Sequence, residues 1–279
     1  TAMMISGRKD SRLVLVLQTD HSRVAGLLAA HWGNAEFAEP RPYASMVLAA
    51  QEHDSGWWDW EIRPALSDEG SPVDYIGSIR RLGSVWLDFY RNGIERLAER
   101  APYAGLMMLM HAVGLCTRGM GLLPNMPDYS EIPEVREALR HLEARRLELV
   151  DRLRRSAAYR EVATDEHLWR NFRLMEVVEP LAQFICNRYP FNSTERQNGP
   201  RNTLEHVPVG PWREDVTVTV EVLDEQRARL RPYPFDVTPL EIPIPARLIP
   251  DRRYASQDEF LREYYKAERC VLTYSLQAG

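Results

Sequence analysis

Ala49-Ala50-Gln51-Glu52-His53-Asp54-Ser55-Gly56 closes an apolar run, Met46-Val47-Leu48-Ala49-Ala50, with an imidazole beside a carboxylate and then a glycine. The segment after Pro42 has the apolar spacing of a helix, and Gly56 supplies its stop. Adjacent residues on a regular helix point about 100° apart. His53 and Asp54 therefore address one point only where the helix end turns them inward. Imidazole and carboxylate together suit a divalent cation, and such a cation lowers the pKa of a water it holds. A lone His-Asp dipeptide is common, so the reading depends on its surroundings.

On the N-terminal side, Leu13-Val14-Leu15-Val16-Leu17 reads as a buried strand. Thr19 or Asp20 is expected to cap a helix from about His21 to Trp32, ended by Gly33-Asn34. On the C-terminal side, 57–72 is a tryptophan-rich loop, and helical periodicity then dominates to about Tyr189. It covers 79–100, a wholly apolar helix over 103–115, a solvated amphipathic helix over 131–157, and a helix capped by Thr164 that bends or restarts at Pro180. Beyond Pro190, Val216–Val222 alternates with a period of two. Segments 227–231, 240–244 and 270–275 are further strands, and 257–266 is a short helix. Prolines 232, 234, 239, 243 and 245 favour edge strands over central ones. The expected fold is mainly α. A helical domain spans 13–190 and a small β-rich appendage spans 191–279, with strand 13–18 available to pair with it.

The chain has 279 residues, 27% of them charged, and a net charge of −5. This balance offers no general attraction to a nucleic-acid backbone or an anionic membrane. Cys116, Cys186 and Cys270 are far apart and form no Cys-x-x-Cys pair. That argues against a disulfide framework and a thiolate zinc site, and points to the cytosol. There Asn192-Ser193-Thr194 is without meaning as a glycosylation sequon. No apolar run has the length of a membrane span, and no signal-peptide layout is visible. Nucleophile-elbow, Walker and dinucleotide-binding patterns are absent from the sequence. The expected partners are a small-molecule substrate and a second copy in a homodimer.

Other residues compete for a role. His111 lies inside Leu106-Met-Met-Leu-Met-His-Ala-Val-Gly114, where a polar ring needs a partner. It is either a satisfied core histidine or part of a site. His31 suits the negative end of its helix as well as it suits a site. His141 and His167 stand in polar contexts. Trp57 adjoins the His-Asp pair and is either packing or a substrate wall. Arg23 is either solvated or a grip on a substrate anion.

The stretch Val47–Gly56 resembles the motif helix of histidine–aspartate (HD) metalloenzymes, in which an apolar helix ends in His-Asp-x-Gly. His21-Ser22-Arg23-Val24 matches that superfamily's earlier histidine, followed three residues on by valine. The superfamily's last ligand is an acid on a later helix, usually aspartate. Leu174–Cys186 offers Glu179 in that place, with Glu176 as its competitor and Asp165 and Glu166 at the helix start. The chain as a whole resembles an uncharacterised bacterial HD-like family of unknown function. Asp20-His21, Ala30-His31-Trp32-Gly33-Asn34, His53–Trp57, His111, the Glu179 helix and Pro232-Tyr-Pro-Phe235 carry that likeness. The resemblance implies an HD-like helical bundle with one or two divalent ions (iron, manganese, nickel or zinc) held by His21, His53, Asp54 and Glu179. Asp54 and His111 would act in catalysis, with His31, His111, Glu176, Trp57 and Arg23 as further ligands or substrate contacts. The expected activity is hydrolysis of a phosphoester or related small molecule by a metal-activated water. A di-iron oxygenase and a non-catalytic ligand- or partner-binding protein are the alternatives.

Overall fold

Leu13-Val14-Leu15-Val16 is apolar on both sides of the chain, and the structure buries both. Leu13 and Leu15 face one core with Met3, Phe260 and Tyr264, while Val14 and Val16 face the main helical core. A strand covered on both faces reads as a continuous apolar run. In the computed structural model, which describes residues 3–122, 128–187, 203–210 and 215–279, this strand is β2 (Arg12–Leu17).

β2 is preceded by β1 (Met3–Lys9), joined to it through Asp10 and Ser11, both at positive φ. Two central residues at positive φ match the right-handed twist of a hairpin. The other strands are β3 (Thr203–Val207), β4 (Val216–Val222), β5 (Arg227–Arg231), β6 (Leu240–Pro250) and β7 (Glu268–Ala278). Together they form one seven-stranded sheet of order β1-β2-β6-β7-β5-β4-β3. Only β5 and β7 pair in parallel among the described strands. The expectation of a mainly α protein, an HD-like helical bundle with a small β appendage, is thereby overturned. The protein is mixed α/β, and strands from both ends of the sequence build one sheet. The expected boundary at 190/191 and the Asn192 sequon lie outside the described residues.

The proline expectation also needs correction. β6 carries Pro243 and Pro245 but lies inside the sheet, between β2 and β7. The register gives the reason. β2 reaches β6 only from Arg247 to Pro250, so the proline-bearing half has β7 alone as a partner and is locally an edge.

β2 runs directly into α1 (Gln18–Ala30). Neither Thr19 nor Asp20 caps it. Both lie inside the helix, and its free N–H groups are met from outside by Glu61, which accepts from Gln18 N, Thr19 N and the Thr19 hydroxyl. Glu61 ends α3 (Trp58–Glu61), a short helix within the expected tryptophan-rich loop. α2 (Tyr43–Glu52) packs on α1. α4 (Tyr75–Leu82) and α5 (Trp86–Arg100) follow, then the buried α6 (Pro102–Cys116), the amphipathic α7 (Pro133–Arg155) and α8 (Asp165–Cys186), which runs unbroken through Pro180. α9 (Gln257–Lys266) covers the second face of the sheet.

Two glycines set how closely these helices approach. A Cβ on Gly26 of α1 would stand 2.7 Å from Gln51 Cβ of α2. A Cβ on Gly56 would stand 2.0 Å from the Phe89 carbonyl oxygen of α5. Backbone cannot yield as a side chain can, so Gly56→Ala should destabilise the protein by about 1–3 kcal/mol or more, as overpacking does. Urea unfolding measures this; a change below about 0.5 kcal/mol, the size expected of an innocuous surface substitution, would show that the contact is not needed.

Candidate metal centre

Four helices converge behind the His-Asp pair. α1 supplies His21. The end of α2 supplies His53, the residue after its last turn, and Asp54, whose φ of −106° and ψ of 13° leave the helical conformation before the tight turn Ser55–Trp57. That break turns the two neighbouring side chains inward together. α6 supplies His111, and α8 supplies Glu176 and Glu179. All six side chains are buried, His21 and His53 with no exposed surface.

Glu179 Oε2 lies 2.7 Å from His21 Nε2 and 2.9 Å from His53 Nε2. Asp54 Oδ2 lies 3.6 Å from His53 Nε2 and 4.0 Å from His21 Nε2. The rings of His21 and His53 stand edge to face at 5.3 Å, and those of His53 and His111 at 5.1 Å. His21, His53 and Asp54 each offer a ligand atom within 4.8 Å of the others, and so do His53, His111 and Glu179. The buried cluster could hold a metal ion.

The outer atoms of His53, Asp54, Glu179 and His111 are already engaged, whereas His21 bonds Glu179 Oε2 through its inner Nε2 at 2.7 Å and leaves its Nδ1 buried without a partner. His53 Nδ1 donates to the Ala50 carbonyl at 2.7 Å, so Nε2 faces the cluster. Tyr90 Oη donates to Asp54 Oδ1 at 2.8 Å, and Gln183 Nε2 donates to Glu179 Oε1 at 2.6 Å. His111 Nδ1 bonds Glu176 Oε1 at 2.9 Å. The Nε2 atoms of His53 and His111 are buried without an aligned hydrogen bond, and the 2.9 Å approach of His53 Nε2 to Glu179 lacks hydrogen-bond geometry. Buried polar atoms normally have partners. Orienting bonds behind His53, His111, Asp54 and Glu179, with His53 Nε2 and His111 Nε2 unpartnered in front, are the arrangement of metal ligands and their supporting shell.

Electrostatics reinforce this. Burial is the largest influence on His53 and would lower its pKa. Asp54 and then Glu179 outweigh it and raise the ring from 6.5 to about 9. Burial would raise Glu179, yet His21 and His53 hold it well below the usual carboxylate range. Without a cation, the cluster keeps a proton on imidazole to balance its carboxylates.

Other sequence candidates lie elsewhere. His31, at the far end of α1, pairs with Asp236 at 2.8 Å. Arg23 is exposed and pairs with Asp20 at 2.7 Å. His141 is exposed beside Glu137, and His167 bonds the Arg41 carbonyl. Trp57 is buried against Phe89 and Tyr90, beneath the centre rather than open to a substrate. Glu176 adjoins the cluster through His111. Sequence reasoning missed Tyr90, Gln183 and Glu61. Gln183 was findable, four residues after Glu179 on one helix face. Nothing local marks Tyr90 or Glu61. Glu61 is buried near Asp54, and its pKa rises to about 8, chiefly through burial.

Fold and site together define an α/β protein with a buried histidine–carboxylate centre. Residues 4–251 match the family model described as Protein of unknown function (DUF3891), and the chain belongs to that family. This match carries no link to the HD superfamily. No curated protein and no solved structure matches the chain. No helix among the described residues is long and apolar enough to cross a membrane.

A cation entering this cluster must displace the His53 proton at any pH below about 9. Affinity should therefore rise with pH and level off above about 9. Calorimetric titration with zinc near neutral pH, in buffers of different ionisation enthalpy, should show about one proton released per ion. Binding without proton release would contradict the assigned charge state.

Proposed function

We propose that this protein is a metal-dependent hydrolase acting on a phosphoester or related small molecule, in the manner of the HD metalloenzymes that its His53-Asp54 motif resembles. The observation that carries the reading is the buried convergence of His21, His53 and Asp54, with Glu179 Oε2 2.7 Å from His21 and 2.9 Å from His53 and with His53 Nε2 unpartnered. A divalent ion held by these residues would acidify a water and polarise a phosphoryl oxygen.

The chain's own groups have definite parts in this scheme. Tyr90 and Gln183 hold one oxygen of each carboxylate, so the other stays aimed inward. Asp54 Oδ2 is placed to accept a proton from an attacking water. His111, held by Glu176 through Nδ1, presents Nε2 to the centre and is placed to accept a proton or a hydrogen bond from a substrate group or a water there. The burial of every ligand suits a small substrate group rather than a polymer. The cytosol is the compartment this reading adopts.

One observation favours a second reading. His53, His111 and Glu179 form a further ligand group that overlaps the first. Two ions there would suit a di-iron oxygenase.

Elemental analysis after expression in metal-supplemented medium, with a phosphoester panel and oxygen-uptake assays, separates the readings. His53→Ala and Asp54→Ala should each abolish metal binding and activity, with the fold retained by circular dichroism. Tyr90→Phe should weaken either by about 10–100-fold, as loss of a supporting bond does. One non-iron ion per chain with phosphoester turnover supports hydrolysis. Two irons with oxygen uptake support the alternative. Metal and activity unchanged in both alanine variants would refute both.

A further inference from the structure

A second site lies at the opposite end of α1 and α8. His21 meets Glu179 where α1 begins and α8 ends, so the two helices run antiparallel. Past the end of α1, residues Gly33, Phe37, Ala38, Glu39 and Arg41 line a cleft of about 550 Å³ together with His167 and Arg170 at the start of α8. That volume is in the range of small-molecule sites, about 300–1,000 Å³. Arg170 and Glu179 are separated by about 13 Å along α8, at a rise of 1.5 Å per residue.

The cleft carries two guanidinium groups, Arg41 and Arg170, and one carboxylate, Glu39, and neither arginine forms an ion pair among the described residues. Arg170 is half-buried, yet among the described residues it reaches only the Ala38 and Glu39 carbonyls, each at 3.4 Å. Arg173 and Arg41 lie near enough to repel it. Two other partly buried arginines have carboxylates: Arg145 bonds Glu95 at 2.7 Å, and Arg173 bonds Asp215. Glu39 lines the cleft but is not among the charges that act on Arg170. The cations are also held in place. His167 and Asn171 both bond the Arg41 carbonyl, at 2.5 and 2.6 Å, and fix that backbone to α8. A partly dehydrated guanidinium with only weak carbonyl contacts gains most from a carboxylate or phosphate, which it can bind through two parallel bonds.

We propose that this cleft binds a small molecule through an anionic group, carboxylate or phosphate, gripped by Arg41 and Arg170. Phe37 and Ala38 supply an apolar wall for the rest of the ligand. The site is separate from the metal centre and does not depend on what that centre does.

Calorimetric titration of the metal-supplemented full chain with inorganic phosphate, and separately with succinate, tests this. At least one probe should bind saturably. Binding should persist in His53→Ala, and should weaken about tenfold or more in Arg41→Ala and in Arg170→Gln, the loss expected of a charge-assisted bond. Arg41 is exposed, so its variant should fold even if Arg170→Gln does not. Whichever probe binds names the anion class. Failure of both probes to saturate, binding unchanged in Arg41→Ala, or binding lost in His53→Ala but kept in Arg41→Ala would overturn the proposal.

Discussion

One oxygen of Glu179 lies between two imidazoles, 2.7 Å from His21 and 2.9 Å from His53, in a buried place. An unpaired buried carboxylate costs several kcal/mol, and so does a buried charged imidazole. Their mutual proximity offsets part of that cost, and the bonds from Gln183, Tyr90 and the Ala50 carbonyl offset more. The atoms that stay unpartnered on the inner side are His53 Nε2 and His111 Nε2. A cation satisfies both at once, whereas a hydrophobic core of the same shape would not need them. The rest of the helical architecture can be read as holding these atoms in place.

That holding is done by backbone. α1 and α2 touch across Gly26, and the turn after Asp54 touches α5 across Gly56. Glu61 ties the first turn of α1 to α3, and the Glu61 carbonyl accepts from Tyr264 of α9 on the far side of the sheet. β2 anchors the other end of that turn, buried on both faces. His21 is therefore positioned by a strand behind it, a carboxylate cap beside it and a helix against it. α8 serves both ends of the molecule, with Glu179 at the centre and Arg170 at the cleft.

What was legible in the sequence was mostly local. His53-Asp54-Ser55-Gly56 announces a helix end that turns two ligand-type side chains inward, because glycine and the break in periodicity lie within a few residues. Glu176 and Glu179 could not be separated by spacing, since both fall on one face. The structure uses both, one behind His111 and one between His21 and His53. The fold class was misjudged because strand pairing is long-range. Nothing in Leu13–Leu17 says that its partner is Arg247–Pro250. β1 stayed hidden because its turn, Asp10-Ser11, lacks the glycine or asparagine that usually marks positive φ. The cap on α1 was misassigned to Thr19 or Asp20 because its true source, Glu61, is distant in sequence.

The most direct test of the central claim is a crystal structure of the protein grown with manganese, with anomalous diffraction recorded to locate the ion. The account requires an anomalous peak bounded by His21, His53, Asp54 and Glu179, with or without a second beside His111. Full manganese occupancy elsewhere and none among these four residues would contradict it.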